Sequence, residues 1–121
     1  MNFIDLFCGA GGLSKGFEMA GFKCIYSIDS SPACIETHKL NFPDCESICT
    51  DIMNINPKDV KKKIEKDINF IVGGPPCPTF STIGHAKIRS INKNKNKNFK
   101  ILDDDRNFLF RKYFEFVKVI K

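Results

Sequence analysis

One cysteine in this sequence has surroundings that the packing of a protein core does not explain. Cys77 lies in the run GGPPCPTFS, with prolines on both sides. Because proline fixes φ and lacks an N–H donor, the run is predicted to leave the preceding strand as a stiff, extended arm. A thiolate held on such an arm is a nucleophile that faces a ligand. We therefore predict that Cys77 is catalytic, with a buried structural thiol as the alternative.

Three aspartates lie near a glycine-rich turn and at the ends of predicted strands. Asp5 precedes the turn CGAGG, Asp29 ends the second predicted strand, and Asp51 closes the third. Glycines let a ligand approach the backbone, and a carboxylate in the place of Asp29 can hold two ribose hydroxyls. Asp51 could accept from an adenine amino group, and Asp5 would suit a cationic group. S-adenosylmethionine contains a ribose, an adenine and a cationic sulfonium, so it would suit all three aspartates. The G-x-G-G turn alone is weak evidence, however, and each aspartate could instead cap a helix.

A basic block follows the cysteine run. Residues 85 to 100 contain no acid, and their basic side chains are His85, Lys87, Arg89, Lys93, Lys95, Lys97 and Lys100. Such a block suits a polyanionic partner. The alternative is a solvated loop of low complexity, because the block contains the repeat NKNKNKN.

Composition limits the class of protein. The chain has 121 residues, 42% of them hydrophobic and 27% charged, with a net charge of +5. This indicates one small globular domain, and no apolar run approaches the ~18 residues that a membrane helix needs. We find no secretory signal and expect an intracellular location, cytoplasmic or nucleoid-associated in a bacterium. The cysteines outside the catalytic run therefore favour neither a disulfide scaffold nor a metal site, and we interpret Cys45 and Cys49 as two semi-buried thiols.

The elements that would position these residues alternate between strand and helix. Short apolar runs and helical spacing predict the order βαβαβαβ, followed by a loop and an amphipathic helix. Alternation of this kind implies a parallel sheet, with ligands at the carboxyl ends of its strands. The predicted strands cover 3–7, 23–28, 46–50 and 68–72; the helices cover 13–20, 32–40, a segment from 57 and 103–121.

Several segments together resemble the cytosine-C5 DNA methyltransferases. FIDLFCGAGGLSKGFE is similar to the cofactor motif of that family, YSIDSSP to its ribose-binding segment and TDI at 50–52 to its adenine-side segment. GGPPCPTFS resembles the catalytic Pro-Cys motif, and DDRNFLF at 104–110 the start of the helix after it. The match covers essentially the whole chain in the right order. It implies an α/β, Rossmann-like methyltransferase fold with a parallel sheet of about four strands and flanking helices, whose C-terminal part this chain lacks.

The resemblance also implies a reaction and a set of site residues. Cys77 would attack C6 of a cytosine flipped out of DNA, so that C5 accepts the methyl group of S-adenosylmethionine. Phe7 would stack on the adenine, Asp29 would hold the ribose, and Asp51 would flank the adenine. The complete set of expected cofactor residues is Asp5, Phe7, Gly9, Ala10, Gly11, Gly12, Leu13, Asp29, Ser30, Asp51, Ile52, Pro76 and Leu109.

By the same resemblance, residues 81–102 correspond to a flexible catalytic loop that closes on DNA. Its expected DNA contacts are Ser81, Lys87, Arg89, Lys93 and Lys95. The chain departs from the family at Pro78, where bacterial members usually have glutamine, which questions the DNA contacts of that position but not the thiol beside it.

The family pattern continues beyond the last residue of this chain. A strand bearing Glu-Asn-Val, whose Glu assists protonation of the base, and a target-recognition domain are expected after Lys121. We therefore expect the chain alone to be inactive, as a truncated product or as one subunit completed by a second chain, and expect an open sheet edge to favour partner binding or self-association. Three alternatives stay open: an inactive cofactor- or nucleic-acid-binding fragment, a tRNA cytosine-C5 methyltransferase, and a nicotinamide dehydrogenase.

Overall fold

The computed structural model describes residues 1–76 and 106–120, with the side chains of the second segment from Phe108 onward. Four strands form one parallel sheet in the order β3-β2-β1-β4. The strands are β1 (Asn2–Leu6), β2 (Lys23–Asp29), β3 (Glu46–Cys49) and β4 (Phe70–Gly73). This confirms the predicted parallel sheet, although β4 begins two residues later than expected. Just before β4, the side-chain oxygen of Asn69 accepts from the Asn2 amide at 2.8 Å.

Four helices connect or follow these strands. They are α1 (Gly12–Met19), α2 (Pro32–Asn41), α3 (Pro57–Lys63) and α4 (Arg106–Ile120), and a 3-10 turn covers Ile52–Asn54. The helix starts follow the sequence: Ser31 caps α2 and Asn56 caps α3, in each case just before a proline at the first helical position. The 3-10 turn was not predicted. Residues 103–105 and Lys121, which the sequence assigns to the last helix, lie outside the described residues.

Apolar side chains cover the sheet on both faces. On one face Ile4, Leu6 and Ile28 pack with Val60 of α3 and Phe116 of α4, which is fully buried. The opposite face is smaller and carries Phe3, Cys24, Phe42 and Cys45, with α1 and α2 above it. Strand residues therefore alternate between the two cores, which is why continuous apolar runs such as FIDL are buried on both sides.

Leu13, Phe17 and Ala20 recur at helical spacing in the sequence, but the structure buries only part of this apolar set. Leu13 and Ala20 are exposed, whereas Ser14 is completely buried and Phe17 is half-buried. The pattern misleads because a polar network inside the protein, described below, turns Ser14 toward the sheet.

Candidate functional site

A cleft lies at the carboxyl ends of the first three strands. Its volume is about 140 Å³, and its lining comes from three strand ends, the segment after β4 and the first described turn of α4. The structure brings seven of the expected cofactor residues together there, with Ile28 and Thr50 as further neighbours: Phe7, Asp29, Ser30, Asp51, Ile52, Pro76 and Leu109. These side chains come from five separate parts of the chain, so only the folded sheet assembles the cleft.

The turn after β1 has an unusual backbone that gives it its shape. Phe7 has φ of 63°, a conformation that is uncommon for an aromatic residue, and Gly11 has φ of 102°. The Cys8 amide donates to the Ile28 carbonyl at 3.1 Å, which fixes the start of the turn to β2. Among the described residues, no atom lies within 4 Å of a Cβ atom placed on Gly9. The described part of the chain thus leaves space at the Gly9 backbone, where the sequence predicts the approach of a ligand.

Asp29 connects this turn to the helix that follows β2. Its Oδ2 accepts from the Gly9 amide at 2.8 Å, and its Oδ1 accepts from the Ser31 amide at 2.9 Å. The structural role that the sequence left open is therefore real. Each carboxylate oxygen can accept more than one hydrogen bond, so the half-buried carboxylate still has acceptor capacity toward the cleft.

Asp51 also has a structural role at its strand end. Its Oδ1 accepts from the Met53 amide at 2.9 Å and caps the 3-10 turn, while the residue as a whole is exposed. Ile52, next in the chain, is only 3% exposed and belongs to the core as well as to the cleft wall. The cap thus orients an exposed carboxylate and an apolar side chain on the same wall.

Asp5 corrects one expectation. It is completely buried on the α1–α2 side of the sheet, where Ser14 Oγ donates to its Oδ2 at 2.6 Å, so it does not line the cleft. Burial raises the pKa of its carboxyl to about 6, because the charged form loses its hydration. In the described part of the chain Asp5 therefore belongs to a buried hydrogen-bonded group and not to the cleft lining. Three further expected cofactor residues, Ala10, Gly12 and Leu13, also lie outside the cleft lining. Unlike Asp5, they are exposed.

A buried polar network that the sequence did not reveal continues from Asp5. His38 of α2 lies with Nε2 3.1 Å from Ser14 Oγ and with Nδ1 2.9 Å from Ser47 Oγ. Because Ser14 gives its only proton to Asp5, His38 must donate through Nε2 and accept through Nδ1. Burial lowers the pKa of His38, which agrees with this neutral ring. The network joins three strands and two helices, since Ser27 donates to Ser47 at 2.8 Å.

The same network supports the glycine turn. A Cβ atom on Gly11 would lie 2.5 Å from the Phe42 ring and 3.0 Å from a ring carbon of His38. The two rings lie 4.5 Å apart between their centroids and form the floor under Gly11. In the sequence, this arrangement is visible only as serines within strand and helix segments. The structure buries three of them, Ser14, Ser27 and Ser47.

The helix α4 closes one side of the cleft. Tyr113 Oη donates to the Ile71 carbonyl at 3.2 Å, and Phe116 is fully buried against the sheet. These two contacts set the rotation of the helix and bring Leu109, one turn earlier, to the cleft. Phe108, which the helical pattern assigned to the packed face, is 47% exposed.

The predicted nucleophile Cys77 and the predicted DNA contacts Ser81, Lys87, Arg89, Lys93 and Lys95 lie outside the described residues. Pro76, the residue before Cys77, is part of the cleft lining. In residues 1–76 and 106–120 there is no cluster of three or more side chains suited to a metal ion. None of the helices in this described part combines the length and apolar character that a membrane crossing needs.

Comparison with known proteins identifies the family of this chain. The family model described as C-5 cytosine-specific DNA methylase matches residues 1–121. The chain is 36% identical over 98% of its length to the type II methyltransferase M.XorII of Xanthomonas oryzae pv. oryzae, of which it covers 25%. It is 37% identical over its full length to M1.HphI of Haemophilus parahaemolyticus, of which it covers 29%.

Solved structures give the same relationship. The chain resembles a putative DNA modification methyltransferase encoded within a prophage of E. coli, with a TM-score of 0.75 and 32% identity. The match covers 99% of this chain and 29% of that one. The chain thus spans about a quarter of the length of the curated relatives named above.

Proposed function

Because the chain belongs to the C-5 cytosine-specific DNA methylase family, we propose that it forms the N-terminal part of the catalytic domain of a DNA (cytosine-5)-methyltransferase. The observation that carries the proposal is the cleft, where seven residues expected to bind S-adenosylmethionine meet at the strand ends. Since the chain spans about a quarter of its relatives, the proposal assigns to it the cofactor pocket and the nucleophile. Target recognition belongs to segments that the relatives have in addition.

The residues of the cleft fit an adenosyl group. Phe7 offers an aromatic ring, while Ile52 and Leu109 offer apolar walls for a purine. The Asp29 carboxylate, already ordered by two backbone amides, is a ready acceptor for ribose hydroxyls. Open space above Gly9 leaves room for the rest of the ligand along the turn. The pocket is thus organised before any ligand arrives, which reduces the ordering cost of binding.

The proposed reaction uses Cys77 as the nucleophile. S-adenosylmethionine, when bound, supplies an activated methyl group. The thiolate of Cys77 adds to C6 of the flipped cytosine, which makes C5 nucleophilic toward that methyl group. Loss of the C5 proton then expels the thiolate and restores the aromatic ring. The position of Cys77 in the chain, directly after the cleft residue Pro76, supports this role.

The proposed nucleic-acid contacts lie in the basic block. Ser81, Lys87, Arg89, Lys93 and Lys95 would contact phosphates, which gives an affinity that falls with salt concentration. A second segment or chain, supplying the Glu-bearing strand and the recognition domain, would complete the enzyme. Under this proposal the protein acts on DNA inside the cell.

The cofactor part of the proposal is tested by calorimetric titration of the chain with S-adenosylhomocysteine. We expect binding by the wild type and a loss of affinity of about tenfold or more in Asp29→Asn, because the variant removes the charge but keeps an amide oxygen as acceptor for one of the two backbone amides. Asp67→Asn is the control, since it neutralises an exposed carboxylate that lies outside the cleft. Equal affinities of wild type and Asp29→Asn would contradict the assignment, and binding of NAD instead would favour a dehydrogenase.

The catalytic part is tested with duplex DNA that contains 5-fluorocytosine, in the complex with the completing segment and cofactor. Fluorine replaces the departing C5 proton, so a covalent protein–DNA adduct should accumulate with the wild type and be absent with Cys77→Ser. Cys49→Ser, at an exposed position outside the cleft, is the control. An adduct that persists in Cys77→Ser would refute the role of this thiol. Adducts with fluorinated tRNA but not DNA would favour the tRNA enzyme.

A further inference from the structure

Two thiols lie side by side at the edge of the sheet opposite the cofactor cleft. Cys24 is near the start of β2, and Cys45 lies in the connection between α2 and β3. Their Sγ atoms are 3.2 Å apart. Both thiols are free in the structure, and the residues are 5% and 7% exposed. The proposed methyl transfer does not use either thiol.

A groove of about 450 Å³ leads from the surface to this pair. Both cysteines belong to its lining, and its outer walls include the exposed residues Lys23, Pro43 and Asp44. Lys23 and Asp44 form an ion pair at 3.1 Å, and both side chains are at least half exposed. Both cysteine residues therefore contribute to the wall of a groove at the surface, although each is more than nine-tenths buried.

The surroundings of the two sulfurs differ in a way that makes one of them the better nucleophile. The hydrogen bond with the Cys24 thiol lowers the pKa of Cys45. The same pairing, together with burial, raises the pKa of Cys24. The thiolate of this pair is therefore favoured on Cys45, while Cys24 keeps its proton until its sulfur attacks.

We propose that Cys24 and Cys45 form an oxidation site at which a hydroperoxide converts the two thiols into a disulfide. The Cys45 thiolate attacks the terminal peroxide oxygen, the O–O bond breaks, and the leaving alkoxide or hydroxide takes up a proton. Cys45 is then a sulfenic acid. The Cys24 sulfur attacks Cys45 Sγ, the S–O bond breaks, and the oxygen leaves as water with the Cys24 proton. In total, two thiols lose two electrons and two protons, and one hydroperoxide gives one alcohol or water and one further water.

The fold allows the two sulfurs to reach bonding distance. A disulfide bond is about 2.0 Å long, so they must approach by about 1 Å. Cys24 is fixed in β2, where it pairs with Phe3 of β1, whereas Cys45 follows the exposed residues Pro43 and Asp44. A small movement of that connection is sufficient. The crosslink would close a loop that contains all of α2, which constrains the unfolded chain and raises the melting temperature.

The test is a peptide map after oxidation with hydrogen peroxide and alkylation of the remaining thiols. Cleavage after lysine leaves Cys24 with Cys34 in one peptide and Cys45 with Cys49 in another. The experiment therefore uses the Cys34→Ser/Cys49→Ser double variant, in which a link between these peptides can only join Cys24 to Cys45. We expect this linked peptide, lighter by two hydrogen atoms than the sum of its parts, and a melting temperature that rises on oxidation and returns on reduction.

The comparison with unfolded protein gives the decisive control. In urea the two thiols lose their proximity, so we expect the link to form at least about tenfold more slowly there than in the folded protein. Adding Cys45→Ser to the double variant should abolish the link. Equal rates in folded and unfolded protein, or peroxide oxidation of the folded double variant that leaves both thiols alkylatable, would overturn the proposal. Because this edge lies away from the cofactor cleft, the result does not depend on the proposed methyltransferase function.

Discussion

Asp5 gives the sharpest test of the buried network, because its carboxyl is fully buried and, within the described part of the chain, only one of its oxygens has a hydrogen-bond partner. Ser14 donates to Oδ2, while Oδ1 has no hydrogen-bond partner among the described residues. The pKa of Asp5 is accordingly raised from 3.8 to about 6, chiefly by burial. A group whose folded pKa is raised stabilises the fold when it is protonated. Its contribution is complete below the unfolded pKa and is lost as the pH rises through the folded pKa.

The magnitude follows from these two values. A shift of about two pKa units corresponds to about 3 kcal/mol between the fully protonated and the fully ionised limits. About 2 kcal/mol of this develops between pH 4 and pH 7. In Asp5→Asn the titrating group is gone, while the amide oxygen can still accept from Ser14. The new amide N–H₂ lacks an acceptor, which costs about 1–3 kcal/mol, but this cost is the same at every pH.

We therefore expect the free energy of unfolding of the wild type to fall by about 2 kcal/mol relative to Asp5→Asn between pH 4 and pH 7. Urea denaturation at several pH values, followed by circular dichroism, measures this difference. His38 is present in both proteins, so its own titration largely cancels. Asp67→Asn, which removes an exposed carboxyl, should show a much smaller change with pH. A difference between wild type and Asp5→Asn that stays constant within about 0.5 kcal/mol would refute the burial argument.

Two further predictions use neighbouring glycines as matched pairs, with urea denaturation as the measurement. Gly11→Ala should destabilise the fold by about 2 kcal/mol or more, because its φ is 102° and the new methyl group would lie 2.5 Å from the Phe42 ring. Gly12→Ala, at the start of α1 with open space around it, should be neutral or stabilising. Gly73→Ala would place a methyl carbon 2.1 Å from a carbonyl oxygen of β1 and should cost about 2 kcal/mol or more, whereas the methyl group of Gly74→Ala would have no described atom within 4 Å. Similar losses within either pair would contradict the predicted packing.

Much of the fold could be predicted because local rules and the global pattern agree. Proline after a capping residue marked the starts of α2 and α3, and apolar runs before polar strand ends marked β1 and β2. The strand order could not be read in the same way. Nothing in the residues of β4 states that it pairs with β1 instead of β3, since that choice depends on how the connecting helices pack.

The cofactor cleft was predictable for a similar reason. Parallel strands end at one edge, so Asp29 and Asp51 had to lie near the glycine turn once the strands were recognised. The contribution of Leu109 came from the family resemblance alone. Its position depends on the rotation of α4, which Tyr113 and Phe116 set through contacts with the sheet.

The buried network was missed because its members are inconspicuous one at a time. A serine in a strand or a histidine in a helix has no distinctive spacing. What distinguishes His38 is the simultaneous supply of a donor at Ser47 and an acceptor at Ser14, from elements far apart in the chain. Such pairing is decided by tertiary structure and leaves no periodic pattern.

For Asp29, helix capping and ligand binding do not exclude each other. A carboxylate that accepts from the Gly9 and Ser31 amides is held in one orientation, and it fixes the turn at the same time. If Asp29 acted only as a cap, replacing it would weaken the fold and the cofactor affinity together. If it also receives the ribose, Asp29→Asn should lose more affinity than any loss of stability accounts for, since the amide keeps part of the capping but loses the charge. Comparing the loss of cofactor affinity with the loss of folding stability in Asp29→Asn therefore shows whether the carboxylate binds the ligand in addition to capping the helix.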